Sequence, residues 1–304
     1  MRRTARTLAA IASAALAAGA LAACAPASEG PRIVVTTNIL GDVVDALVGD
    51  QVEVATLMPP NSDPHSFEIS AQQAAAMEGA DLVVANGLGL EEGLTQHVEA
   101  AEAAGVPIVE AGDAVDVLEY ATEDASGPDP HWWTDPTQMR SVVDALEAEL
   151  AEHVDGIDVA GLAEAADAYR ADVEALDADL AAAFETLGPE RRVLVTNHHV
   201  FGYLAERYDF RIVGAVIPGG STLAAPSASD LDELADAIRE AAVPVLFAES
   251  SQPDRLIQVL AEEAGLDVRV ESLFTESLTE PGGGAATYLE LMTANGERIV
   301  DALG

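Results

Sequence analysis

The chain carries six histidines (His65, His97, His131, His153, His198 and His199) and one cysteine, Cys24. Neutral imidazole is a good ligand for zinc, copper, nickel and iron, whereas a lone cysteine can build neither an intrachain disulfide nor a thiolate cluster. Metal chemistry in this chain would therefore rest on imidazole and carboxylate. His65 closes the run Met58-Pro59-Pro60-Asn61-Ser62-Asp63-Pro64-His65, and His131 sits in Pro128-Asp129-Pro130-His131-Trp132-Trp133. The same Asp-Pro-His tripeptide introduces both. Its proline fixes the backbone just ahead of the imidazole, which favours a preorganised position. His198 and His199 directly follow the apolar run 193–196. His97 and His153 fall in acidic stretches of helical period and read as surface residues without a role.

The elements that would position these residues follow a βαβ pattern, with short β-branched runs alternating with Ala/Glu/Asp-rich stretches of helical period. Strands are expected at 33–37, 52–57, 82–85 and 107–109, and again at 193–196, 212–216, 245–248 and 268–270. Helical stretches such as 40–48 and 70–78 separate them. Each half offers four strands, so the fold class is α/β, with two similar lobes built on mainly parallel four-stranded sheets. His65, His131 and the 198–199 pair all lie past strand C-terminal ends, the edge at which open α/β sheets bind ligands.

Between the halves, Leu162, Ala166, Tyr169, Val173, Leu176, Leu180, Phe184 and Leu187 form one apolar stripe of helical period. Asp158 is the expected N-cap, with Gly188-Pro189 as C′ glycine and stop. Such a helix spans about 40 Å, enough to run behind both lobes as a strut.

The N-terminus supplies an address. Arg2, Arg3 and Arg6 precede the apolar run 8–23, which has the length of a signal h-region and is short for a spanning helix. It ends in Leu21-Ala22-Ala23-Cys24, similar to the bacterial lipobox, whose cysteine becomes the acylated first residue. The expected organisation is a signal peptide at 1–23, a lipidated tether at 24–31, an N-terminal α/β lobe at 32–157, a linking helix at 158–188 and a C-terminal α/β lobe at 189–304. This places the protein at the extracytoplasmic face of a bacterial cell membrane, lipid-anchored at Cys24.

Charge narrows the partners. The formal net charge is −39, from 14 basic and 53 acidic residues, and every basic residue is arginine. A field this negative repels nucleic acid and anionic lipid and concentrates cations.

These segments together resemble the solute-binding lipoproteins of zinc and manganese ABC importers, the cluster A-I receptors. The resemblance runs from about Arg32 to the C-terminus. It is carried by Asp63-Pro64-His65-Ser66-Phe67-Glu68, by 80–87 with Glu91, and by Asp129-Pro130-His131-Trp132-Trp133-Thr134-Asp135-Pro136. The runs 196–204, 246–253 and 288–292 complete it. The resemblance implies that His65, His131 and His198 are metal ligands, His198 being favoured over His199. It implies a fourth ligand at Glu276, where the family usually has Asp. The extra methylene leaves direct ligation, ligation through water and displacement all open. The resemblance further implies a metal in the cleft between the lobes, two ligands coming from each. The partners would be the membrane permease and ATPase subunits of the importer, with the receptor itself a monomer. Many zinc members carry a His-rich loop before the second ligand; here 116–127 is acidic and contains no histidine.

Three imidazoles and one carboxylate suit Zn2+, with Mn2+ as the alternative. The rival reading is a secreted metallohydrolase, in which Glu249 would act as base. A strand-end carboxylate that holds a ligand imidazole from behind is the better reading of Glu249. No His-Glu-x-x-His helix or phosphate-cradling glycine loop is present, and Gly282-Gly283-Gly284 reads as flexible chain. The sequence is therefore read as that of a binding protein, not an enzyme.

Overall fold

The computed structural model describes residues 32–120, 125–251, 255–263 and 268–304; the signal peptide, the tether and Cys24 lie outside these residues. Two four-stranded parallel sheets organise the chain. In the first, β1 (Arg32–Val35), β2 (Glu53–Thr56), β3 (Leu82–Ala85) and β4 (Ile108–Glu110) take the order β2-β1-β3-β4. In the second, β5 (Val193–Thr196), β6 (Arg211–Ala215), β7 (Val245–Glu249) and β8 (Arg269–Leu273) repeat it as β6-β5-β7-β8. The inner strands β3, β5 and β7 are buried along their whole length. Their continuous Val/Leu/Ala/Phe runs reflect helices covering both faces of a parallel sheet.

The helices begin where side-chain caps permit. The Thr37 side chain accepts from Leu40 N at the start of α1 (Asn38–Val48). Ser70 and Gln73 form a reciprocal capping box on α2 (Ala71–Glu78), and α3 (Thr95–Ala103) follows β3. Asp135 caps α4 (Pro136–His153), whose first residue is a proline that has no N–H to leave unsatisfied. Asp158 caps α5 (Val159–Glu185), as its sequence suggested. In the second lobe come α6 (Gly202–Tyr208), α7 (Ala228–Ala241), α8 (Arg255–Glu263) and α9 (Tyr288–Leu303).

The strut α5 ends earlier than expected. Its C-cap is Thr186 in right-handed helical conformation, and Gly188 is extended (φ −61°, ψ 149°), heading the short 3₁₀ turn Pro189–Arg191. Gly188 is therefore not a left-handed C′ glycine; the chain leaves the helix through Thr186 and uses Gly188-Pro189 to enter β5. All the stripe residues named above are buried. They pack on α1 and α4 of the first lobe and on α9 of the second. One hydrophobic cluster consequently runs from Ile33 and Leu40 through Leu146 and Phe184 to Tyr288 and Ile299. The glycine triplet also differs from expectation. Thr279 N–H donates to Ala285 O (2.8 Å) and Gly283 N–H to Glu280 O (2.9 Å), so 279–285 is a closed turn rather than free chain.

Candidate metal centre

Each Asp-Pro-His loop is a local device. Asp63 Oδ1 accepts the His65 N–H at 2.9 Å, and Asp129 Oδ1 accepts the His131 N–H at 2.9 Å. In both, the aspartate closes a turn over the proline, which has no N–H to compete, and so fixes where the imidazole starts. The loop 57–70 leaves β2 and carries His65 to the cleft; the loop after β4 carries His131. Asn86 Nδ2 donates to Pro130 O at 3.0 Å, and Glu91 Oε1 accepts from Asn86 N–H (2.8 Å) and Thr36 Oγ (2.5 Å). The 80–91 segment thus holds the His131 loop from the strand side.

The second lobe brings His198 directly off β5, and Glu249 at the end of the adjacent β7 accepts both its backbone N–H (3.2 Å) and its Nδ1 proton. Glu276 follows β8. Its loop is pinned mainly from the other lobe: Trp133 Nε1 donates to Thr275 O (2.9 Å), Leu278 N–H to Asn38 Oδ1 (2.9 Å) and Ser62 N–H to Ser277 Oγ (3.1 Å).

These four loops converge. Glu276 Oε1 lies 3.0 Å from His65 Nε2, 3.2 Å from His131 Nε2 and 3.2 Å from His198 Nε2. His131 Nε2 is 3.4 Å from His65 Nε2 and 3.3 Å from His198 Nε2. All four donors fall within 4.8 Å of one another. A tetrahedral ion with ligands at about 2.0–2.1 Å needs donor separations of about 3.3 Å, and five of the six donor pairs lie at 3.0–3.4 Å. The four side chains are at most 2% exposed. Glu276 Oε2 and His65 Nδ1 are buried without a hydrogen-bond partner among the described residues.

Electrostatics fits a cation cage. Burial alone would push the His198 imidazole down, but Glu249 and Glu276 outweigh it and hold its pKa well above the ordinary value. Burial likewise opposes Asp129 and Glu276 at His131, whose pKa is also raised. Against its own burial, Glu276 is held well below the usual carboxylate range by His198, His65 and His131. Without metal, the carboxylates favour the protonated imidazoles, so protons and a divalent cation compete for the cluster.

His199 points elsewhere. It is buried beside the Tyr120 ring, with centroids 6.4 Å apart, and lines a separate cavity with Asp230 and Glu233. His97 and His153 are half-buried and not part of the cluster; His153 pairs with Glu149 at 3.2 Å. Reasoning from sequence missed Asp63, Asp129, Tyr120 and Asn38. The repeated aspartate two places before each histidine was the signal available for the first two.

The family described as ZnuA, zinc-uptake complex component A periplasmic, matches residues 33–302. The chain belongs to this family. It is 30% identical over 282 residues to the zinc-binding protein TroA of Treponema pallidum, covering 91% of this chain and 90% of TroA. It is 29% identical over 276 residues to the manganese-binding lipoprotein MntA of Halalkalibacterium halodurans, covering 90% and 89%. The solved structure of T. pallidum TroA superposes with a TM-score of 0.83 over 90% of this chain and 99% of that one. The protein is thus a metal-binding, substrate-binding component of an ABC metal importer and not an enzyme. Such components work with a membrane permease and an ATPase.

Proposed function

We propose that the protein captures Zn2+ outside the cytoplasm, holds it through His65, His131, His198 and Glu276, and delivers it to its permease. The observation that supports this most directly is the near-tetrahedral spacing of three Nε2 atoms and one carboxylate oxygen, drawn from both lobes and fully buried. An N₃O set of this size suits four-coordinate zinc. Glu249 fixes the tautomer of His198 by accepting a hydrogen bond from Nδ1–H, which leaves Nε2 free for the ion. Lipidation at Cys24 would keep the receptor beside the permease, and a monomer suffices because one chain supplies all four donors.

A manganese reading is favoured by one observation, the buried and unpartnered Glu276 Oε2. A carboxylate that gives both oxygens makes an N₃O₂ set, closer to the higher coordination that Mn2+ prefers. In-vitro preference does not separate the two metals, since zinc outbinds manganese at almost any such site. The deciding experiment is cellular: delete the gene and supply one metal at a time in chelated medium. Receptor-dependent rescue by zinc is expected. A deletion phenotype exposed by manganese limitation alone would replace zinc with manganese and leave the receptor assignment standing.

A further inference from the structure

The structure assigns Asp129 as the positioning residue for His131, and Gly202 of the opposite lobe as the residue that keeps room for the Asp129 carboxylate. This rests on the reading of His131 as a metal ligand. Asp129 is 2% exposed, and its Oδ1 lies 2.7 Å from His131 Nδ1 as well as accepting the His131 N–H. A carboxylate at Nδ1 fixes the proton there, aims Nε2 at the ion and raises its basicity.

The other oxygen of this carboxylate faces α6. Gly202 opens that helix, immediately after the His198 loop. A methyl group at 202 would sit well inside van der Waals contact with Asp129 Oδ2 and 3.6 Å from its Cγ. Beyond its own helix and chain neighbours, no other described atom lies within 4 Å of that point. Gly202 has no left-handed backbone to justify a glycine, and alanine is the better helix former. The one thing that alanine would disturb is the Asp129 carboxylate. The next residue completes the arrangement: Tyr203 Oη donates to Asp129 O (3.1 Å) and accepts from Leu118 N–H (3.0 Å). The lobe that supplies the third ligand therefore holds in place the carboxylate that orients the second.

A double-mutant cycle on zinc affinity, measured by competition with a chromophoric chelator, tests this. Asp129→Asn is expected to weaken zinc binding about 10–100-fold, the range for partners behind a ligand. Gly202→Ala is expected to weaken it about 10-fold in the native background and by less than about 3-fold in an Asp129→Ala background, because the two act as one unit. In ¹⁵N-imidazole spectra of the zinc-loaded protein, the protected His131 Nδ1–H should be lost on Asp129→Ala and weakened on Asp129→Asn, whose amide oxygen is the poorer acceptor, and on Gly202→Ala. Metal-free Gly202→Ala should keep the native circular-dichroism spectrum and a single cooperative melt, which separates the effect from misfolding. Equal losses from Gly202→Ala in both backgrounds, or unchanged affinity in Asp129→Asn, overturn the inference. If His131→Ala itself binds zinc normally, the metal-site reading fails first; if His131→Ala fails to bind while Asp129→Asn binds normally, only the inference does.

Discussion

In the first lobe, each histidine is set by an aspartate two residues earlier, Asp63 for His65 and Asp129 for His131. In the second lobe, the carboxylate behind His198 comes from Glu249, 51 residues away on a neighbouring strand. The sheets share one strand order, yet one lobe builds its ligand geometry from local turns and the other from tertiary pairing. Glu276 goes further, since its loop is held by Asn38, Ser62 and Trp133 of the opposite lobe. Local turns survive small shifts of the sheet; a strand-to-strand carboxylate contact does not. The turns of the first lobe should therefore set where its two imidazoles start without metal, whereas the position of Glu276 in the second should depend on the lobes being closed.

The largest effect should come from joining the halves. A metal that binds only the native state adds about 4 kcal/mol at a thousand times its dissociation constant. The raised imidazoles make this pH-dependent. Protonated His198 and His131 steady the metal-free fold below pH about 6.5, and that contribution is lost as pH rises through their higher folded values. Metal must displace the same protons. The melting-temperature gain on adding zinc should thus be larger at pH 8 than at pH 5.5. Calorimetric scans with equal gains at both values would rule out imidazole ligands.

Next in size, His65→Ala, His131→Ala, His198→Ala and Glu276→Ala should each cost more than the roughly 100-fold upper range for a partner behind a ligand. His199→Ala should change zinc affinity by less than about 3-fold. Isothermal titration would decide, and a small loss for Glu276→Ala would remove it from the ligand set.

Glu249→Gln should cost about 10–100-fold. Asp63→Asn should cost less, because the turn can still close through the amide oxygen. A greater loss at Asp63 than at Glu249 would break the distinction between the lobes.

The smallest effect expected is at the cross-lobe bond from Thr222 Oγ1 to Asp63 Oδ2 (2.7 Å). Thr222→Val should remove about 1 kcal/mol of lobe closure, visible as a faster zinc off-rate in stopped-flow with little change in on-rate.

The same contrast explains what the sequence could disclose. The strands, the Asp158 cap and the Asp-Pro-His loops are short-range patterns, and the structure contains each of them. Which of His198 and His199 faces Glu249 depends on the pairing of β5 with β7, and the position of Glu276 depends on a loop pinned by Asn38, Ser62 and Trp133, each more than a hundred positions away. Neither leaves a periodic or motif-sized trace. The end of α5 was misjudged because Gly-Pro looks alike whether it stops a helix or starts the turn into a strand.

The roof over the cluster has a kinetic consequence. Tyr120, held protonated by burial, places its hydroxyl 3.3 Å from His131 Nδ1 and 3.2 Å from Gly220 O, and Thr222 closes on Asp63 beside it. With all four donor residues buried beneath that roof, an ion held there would meet solvent only when the roof moves aside. Dwell time is then a property of the roof rather than of the coordination bonds. An external chelator should extract the metal at a rate that saturates at low chelator concentration, the plateau being the opening frequency. Whatever hastens unloading at the membrane must act by prising loops apart, since there is no exposed ligand for it to compete for.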